Sequence, residues 1–251
     1  MSGHSKWSTI KRKKGVADAK RGAIFTRLAR EIVIAAREGG SDIDSNFRLR
    51  LAVDKARAEN MPKDNIERAI KRGAGEDKDG VVFESITYEG YVGHGVAVMV
   101  EAVTDNRNRT VSDLRHALTK AGGNMAEPGA VGWQFERIAY FTFPSSAMNF
   151  DKAFELGIEA GANDVVEDDG TIEITGPVES FKEIATHLHK ANVQPEDAEL
   201  RYSPKQEMEL GAEESVSVLK ALENIEDLDD VQNVYSNLKV SDEALAALEA
   251  A

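Results

Sequence analysis

The chain has 251 residues, 41% hydrophobic and 30% charged, with a formal net charge of −13. That balance excludes a disordered polypeptide and supplies apolar material for one large domain or two to three small ones. With no cysteine there is no disulfide, thiolate metal site or cysteine nucleophile, and no run approaches the roughly 20 apolar residues of a membrane-spanning helix.

The charge is unevenly placed. Residues 1–30 hold nine Lys/Arg against the single acid Asp18, a net +8, so the other 221 residues sum to −21. The division persists over a wider window: 1–78 has 19 cations and 11 acids, and 79–251 has 12 and 33. A basic end on an acidic body points to contact with a polyanion. The start is positive but lacks the apolar core and cleavage site of a secretory signal. A mitochondrial transit peptide shares the basic, acid-poor composition, but here the basic run leads directly into a helical pattern. A cytoplasmic protein is expected.

Residues 1–15 have little that could enter a core and read as an extended arm carrying Lys11-Arg12-Lys13-Lys14. Trp7 is the exception, placed to pin the arm to the helices behind it or to stack on a base. A helix is predicted over about 18–38, with Ile24, Leu28, Ile32 and Ala35 as its buried stripe and Gly39-Gly40 as its end. Asp44 or Ser45 is placed to cap a second helix running to Asn60. Pro62 suits the first turn of a third, which Gly73 ends. Three short helices with short loops make a small bundle.

After a linker near 73–80 the apolar period changes from 3.6 to 2. Strands are predicted at 85–91 and 96–104, a helix at about 111–121 with Thr110 and Asp113 as a capping-box-like start, and a strand at 131–135. Next come a strand at 139–143, a helix at 151–160, a hairpin of 164–167 with 171–175, a helix at 181–191 and a strand at 198–202. That order is βαββαβ, the ferredoxin-like arrangement. A helix at 212–225 and a strand at 231–235 cannot bury a core alone and fit as the missing half of the unit at 85–135. The tail, 241–251, reads as a frayed helix. The expected fold is therefore α+β: an N-terminal three-helix bundle followed by two α/β domains, one a ferredoxin-like insertion in the other. The expected boundaries are 1–78, 79–136 with 204–240, 137–203, and the tail.

Several stretches resemble a known family. Gly3-His4-Ser5-Lys6-Trp7, Asp18-Ala19-Lys20-Arg21-Gly22 and Ile24-Phe25-Thr26 are similar to the opening of the YebC family. Tyr88-Glu89-Gly90-Tyr91 and Asp105-Asn106-Arg107-Asn108-Arg109-Thr110 resemble its two central signatures. Gly122-Gly123-Asn124 and Asp230-Val231-Gln232-Asn233-Val234-Tyr235 match further on, so the likeness spans nearly the whole chain. One departure is Val92-Gly93-His94-Gly95, where the family pattern resembles Gly-Pro-Gly-Gly. The resemblance implies a three-domain α+β cytoplasmic protein, related to probable transcriptional regulators and to mitochondrial translational activators, with DNA or a ribonucleoprotein as partner.

The basic arm and the helix behind it supply the first candidate contacts: Lys6, Lys11, Arg12, Lys13, Lys14, Lys20, Arg21, Arg27 and Arg30. Cations that neutralise phosphates release counterions, giving salt-sensitive, sequence-tolerant binding. The bland alternative is a solvated basic face. Arg107 and Arg109, expected just before a helix N-terminus, are a second candidate for phosphate; alternatively Asp105, Asn106 and Asn108 build the turn and the arginines pair with neighbouring acids. Tyr88 and Tyr91 are candidates for base stacking, although alternation turns one of them inward.

Catalysis has little support. His187 and His189 are spaced two apart on a helix and do not face each other, and no metal, P-loop or nucleophile-elbow motif appears. The acidic stretch from Glu207 to Asp230 reads as a solvated helix face. The sequence points to a monomeric, non-enzymatic DNA-binding transcriptional regulator without cofactor, membrane contact or small-molecule substrate, its partner being double-stranded DNA. Two alternatives stand beside it: a ribosome-associated translation factor using the same arm on ribosomal or transfer RNA, and an acidic protein-interaction scaffold.

Overall fold

The structure, a computed structural model, describes residues 18–76 and 83–249. Three helices come first: α1 (Asp18–Gly39), α2 (Phe47–Ala58) and α3 (Lys63–Gly73). Their apolar stripes meet in one core of Leu28, Ile32, Ala35 and Ala36 from α1, Leu49, Val53 and Ala56 from α2, and Ile66 and Ala69 from α3. Each fully buried Leu, Ile or Val contributes about 1.5–3 kcal/mol, so the period-3.6 pattern alone drives this assembly. Asn46, rather than Asp44 or Ser45, caps α2. Its Oδ1 accepts the Leu49 N–H at 3.0 Å while its Nδ2 donates to the carbonyls of Ala35 and Gly40. One buried amide thus starts α2 and ties it to the end of α1.

The first sheet contains β1 (Glu84–Tyr91), β2 (Ala97–Thr104), β3 (Asn124–Ala126) and β8 (Val231–Ser236), in the order β3-β1-β2-β8. Helix α4 (Arg107–Lys120) and helix α7 (Ala212–Glu226) cover one face, burying Leu114, Leu118, Val218, Leu219 and Leu222 on Val98 and Val100. The second sheet contains β4 (Phe135–Pro144), β5 (Asp164–Asp168), β6 (Thr171–Pro177) and β7 (Asp197–Pro204), ordered β5-β6-β4-β7. Helices α5 (Phe150–Glu159) and α6 (Phe181–Lys190) pack on Phe141, Phe143, Ile172 and Ile174. This is the expected βαββαβ unit, all antiparallel, and it lies between strands of the other sheet in sequence. The late strand β8 does pair with β2.

Three expectations change. The strand predicted at 131–135 is not there. The third strand of the first sheet is β3, which ends six residues before the helical turn at Gly132–Gln134, and Phe135 begins β4 of the other sheet. Helix α4 starts at Arg107, not Val111, because Asn106 caps it by accepting the Arg109 N–H at 3.2 Å. The tail is a packed helix, α8 (Asp242–Glu249), whose Leu245 and Leu248 join the core of the first sheet.

The uncovered face of the first sheet meets the second sheet through Ala97, Met99, Val131, Phe135 and Tyr235, with Tyr202 edge-on to Tyr235 at 5.7 Å. The three helices touch both units: Phe83 packs against their core, and Phe47 of α2 sits edge-on to Phe181 of α6 at 5.7 Å.

Gly123 marks the tightest approach. A Cβ there would lie 1.8 Å from the Tyr91 carbonyl oxygen, where β3 turns alongside β1. Gly123→Ala is expected to cost about 2–3 kcal/mol through forced backbone displacement, read as a lowered midpoint in denaturant unfolding. A change within about 0.5 kcal/mol would show that the strand yields freely.

Candidate nucleic-acid interface

The Asp105–Thr110 segment folds around a carboxylate more than a hundred residues away. Asp230, at the entrance to β8, is only 4% exposed. A buried carboxylate is costly unless its lone pairs are filled, and here several groups fill them. Arg109 donates from Nη2 at 2.8 Å and 2.9 Å and from Nε at 3.2 Å. The Thr110 hydroxyl donates at 2.7 Å and that of Thr104 at 3.2 Å. Arg30, from the middle of α1, completes the set with Nη2 at 3.1 Å, and its Nη1 donates to the Asp229 carbonyl. Burial would raise the Asp230 pKa; the hydrogen bonds from Thr110 and Arg109 and the charges of Arg30 and Arg109 outweigh it and hold the carboxyl below its ordinary value.

The other residues of the segment serve the same joint. Asp105 pairs with Arg109 at 2.8 Å, Asn106 caps α4, and the Thr104 hydroxyl accepts the Asn106 N–H at 2.9 Å. Arg37 adds a second tie from α1 by donating to the Phe83 carbonyl at 2.6 Å, and the Arg30 guanidinium lies 5.7 Å from the centre of the Phe83 ring.

The structure therefore divides the candidate contact residues. Lys6, Trp7, Lys11, Arg12, Lys13 and Lys14 lie outside the described residues. Lys20 and Arg21 lie in α1, with their side chains outside the description. Arg27 is half-buried on α1. Arg30 and Arg109 point inward to Asp230, so their charge is already engaged. Arg107, in the first turn of α4 and not before it, stays 63% exposed beside Glu84 at 3.8 Å. Arg48, Arg57, Lys63, Arg68 and Lys71 of the helical unit are exposed.

The two tyrosines fall on opposite faces of β1. Tyr88 is buried in the helix-covered core, its hydroxyl pKa raised by burial against the pull of Arg107. Tyr91 packs half-buried on the seam between the sheets. Burial leaves the Tyr88 ring without an open face for a base. The acidic stretch is also corrected at its end, since Asp230 is an internal anchor and not part of a solvated face.

Sequence reasoning missed Asp230 as partner of Arg30 and Arg109, and Glu89 as a clamp. Glu89 Oε1 accepts the Gly129 N–H at 2.7 Å, and Oε2 accepts those of Val131 at 2.6 Å and Gly132 at 2.7 Å. Burial opposes ionisation, but these three donors lower the Glu89 pKa below the usual glutamate value. An acid in a strand next to a glycine was the available signal; its partners lie some 40 residues on. No group of three or more His, Cys, Asp or Glu among the described residues is placed to hold a metal ion, and no described helix is long and apolar enough to cross a membrane.

Because the Asp230 pKa is lowered on folding, its contribution is complete above the unfolded-state value of about 3.9 and is lost as pH falls through the lower folded value. Asp230→Asn is expected to cost about 2–3 kcal/mol at neutral pH by leaving Arg30 without its anion, discounted from a fully buried pair because Arg109 is partly exposed and keeps Asp105. Denaturant unfolding at pH 7 and pH 3 checks both: the loss should shrink at the acid end.

The chain is similar to known proteins over nearly its whole length. Residues 5–76 match the model of the TACO1/YebC N-terminal domain, and residues 83–238 match that of the TACO1/YebC second and third domains. A "Probable transcriptional regulatory protein" of Geotalea uraniireducens is 54% identical over 245 residues, 98% of each chain. One from Acidithiobacillus ferrooxidans is 50% identical over 250 residues, covering 100% of this chain and 99% of that one. The crystal structure of a conserved hypothetical protein from Aquifex aeolicus superposes with a TM-score of 0.82 at 43% identity, over 91% of this chain and 94% of that one. With both family models matched in order along one fold, the chain belongs to the TACO1/YebC family.

Proposed function

We propose that the chain is a transcriptional regulator that grips double-stranded DNA mainly through its basic N-terminal domain, led by the arm and the cations of the first half of α1. The observation that carries this reading is the charge division: +8 in residues 1–30 against −21 in the remainder. An acidic body repels a polyanion and directs the main contact to the basic end. The names of the curated relatives support a regulatory role.

The contact set is Lys6, Lys11, Arg12, Lys13, Lys14, Lys20, Arg21 and Arg27, with Arg107 as an exposed cation on the first sheet's unit. Arg30 and Arg109 hold the fold together and are not counted. Phosphate contacts of this kind position the protein without reading bases, so affinity is expected to depend weakly on sequence and steeply on salt.

If about five phosphates are engaged, log K against log salt should fall with a slope of about −4.5 on duplex DNA. Changing Lys11, Arg12, Lys13 and Lys14 together to Glu should abolish binding at low salt while leaving thermal unfolding unchanged. Undiminished affinity in that variant would remove the arm from the mechanism. Sedimentation with ribosomes in nuclease-treated lysate is the companion measurement; ribosome retention without DNA binding would transfer the same arm to RNA.

A further inference from the structure

Trp133 is 69% exposed, the most exposed large apolar side chain described. An indole left in water on a slack loop would need no explanation, but this loop is not slack. Its backbone is tied on one side by the Glu89 carboxylate, which takes the N–H groups of Gly129, Val131 and Gly132. Such charge-assisted bonds are about twice as strong as neutral ones. Val131 is fully buried in the seam between the sheets, and the Gln134 N–H returns to the Val131 carbonyl at 2.9 Å. A Cβ on Gly132 would sit 3.3 Å from the Glu89 carboxylate, so the residue before the tryptophan is held close to the clamp.

The ring itself is partly committed. Its Nε1–H donates to the Ala130 carbonyl at 3.0 Å, which leaves the π-face and carbon edge to a partner and no polar handle. Beside it, the exposed Lys205 donates from Nζ to the Trp133 carbonyl at 3.0 Å. The indole offers a flat apolar face to a base, and the Lys205 ammonium, held at the backbone of the same residue, is a cation for the adjoining phosphate; together they match one nucleotide. A broad apolar partner fits less well, because residues 127–130 and Lys205 around the ring are exposed and the loop offers no second large apolar side chain.

We propose that Trp133 and Lys205 form a stacking site for an unpaired nucleotide of single-stranded RNA or DNA. This rests on the nucleic-acid reading above and adds that the bound polymer presents an unpaired base to the loop of the first sheet's unit. The indole takes the base without sequence preference, and Lys205 takes the adjoining phosphate.

The chain has two tryptophans, Trp7 and Trp133, so Trp7→Phe makes Trp133 the sole fluorescent indole while keeping an aromatic ring in the arm. Titrating that variant with uridine or thymidine oligomers of about 10 nucleotides should quench its emission. In the same background, Trp133→Ala should weaken single-strand binding roughly 5- to 150-fold with an unchanged salt slope, and Trp133→Phe should recover part of it. Lys205→Ala should instead reduce the slope by about 0.7. Thermal melting checks that each variant is folded. Oligomer binding with unaltered emission and unaltered affinity in Trp133→Ala would overturn the stacking site and leave the arm-mediated reading intact. Failure of the parent and of Trp7→Phe to bind any single or double strand would overturn both.

Discussion

The Asp230 carboxylate is the constraint on which the arrangement of this protein depends. Removing a carboxylate from water costs several kcal/mol unless charge and hydrogen bonds replace the lost solvation. Here they come from places far apart in the chain: Arg30 on α1, Thr104 at the end of β2, and Arg109 and Thr110 in the first turn of α4. Satisfying one anion therefore docks the helical unit onto the sheet and ties down the first turn of α4. Phe83 and the Arg37 contact to its carbonyl brace the same joint from the side of the linker.

This joint separates the cations into two kinds. Arg30 and Arg109 face inward and neutralise an internal acid. Arg48, Arg57, Lys63, Arg68 and Lys71 face outward. Arginine suits the inward task because its planar fork donates several bonds at once and never loses its charge; three of the Arg109 contacts to Asp230 use two of its nitrogens. These outward cations stay in water, where Arg48, Arg57 and Lys63 pair with the neighbouring surface acids Glu38, Asp54 and Glu67, pairs that water screens and that contribute little. The Asp230 joint orients the helical unit that carries these cations against the sheets.

Glu89 repeats the device on a smaller scale. A carboxylate in β1 collects three backbone N–H groups from the 129–132 loop, and so replaces the ladder partners that a strand would have supplied. That is why the apolar run at 131–135 does not extend the first sheet: Val131 turns into the seam, Trp133 turns out, and Phe135 enters the other sheet. Gly132 permits the close approach of the loop to the carboxylate, and Gly129 supplies a backbone turn at φ 89°.

Much was readable from local pattern. The period of 3.6 located α1 to α3, and the period of 2 with its glycine turns located β1, β2 and the βαββαβ unit; the match of helix 212–225 and strand 231–235 to the first sheet followed from their inability to bury a core alone. These features are set by neighbouring residues, and burial of an amphipathic face enforces them whatever lies beyond. The charge division was equally plain, since it needs only counting. What tertiary structure decided was which charges face one another. Arg30, Arg109 and Asp230 look alike, as solvated ions, until folding brings Arg30 within 3.1 Å and Arg109 within 2.8 Å of Asp230; the loss of the 131–135 strand likewise follows from an acid, Glu89, whose partners are distant in sequence. A lone carboxylate carries no mark of its future partners, because its pairing is chosen by the packing of elements and not by its neighbours along the chain.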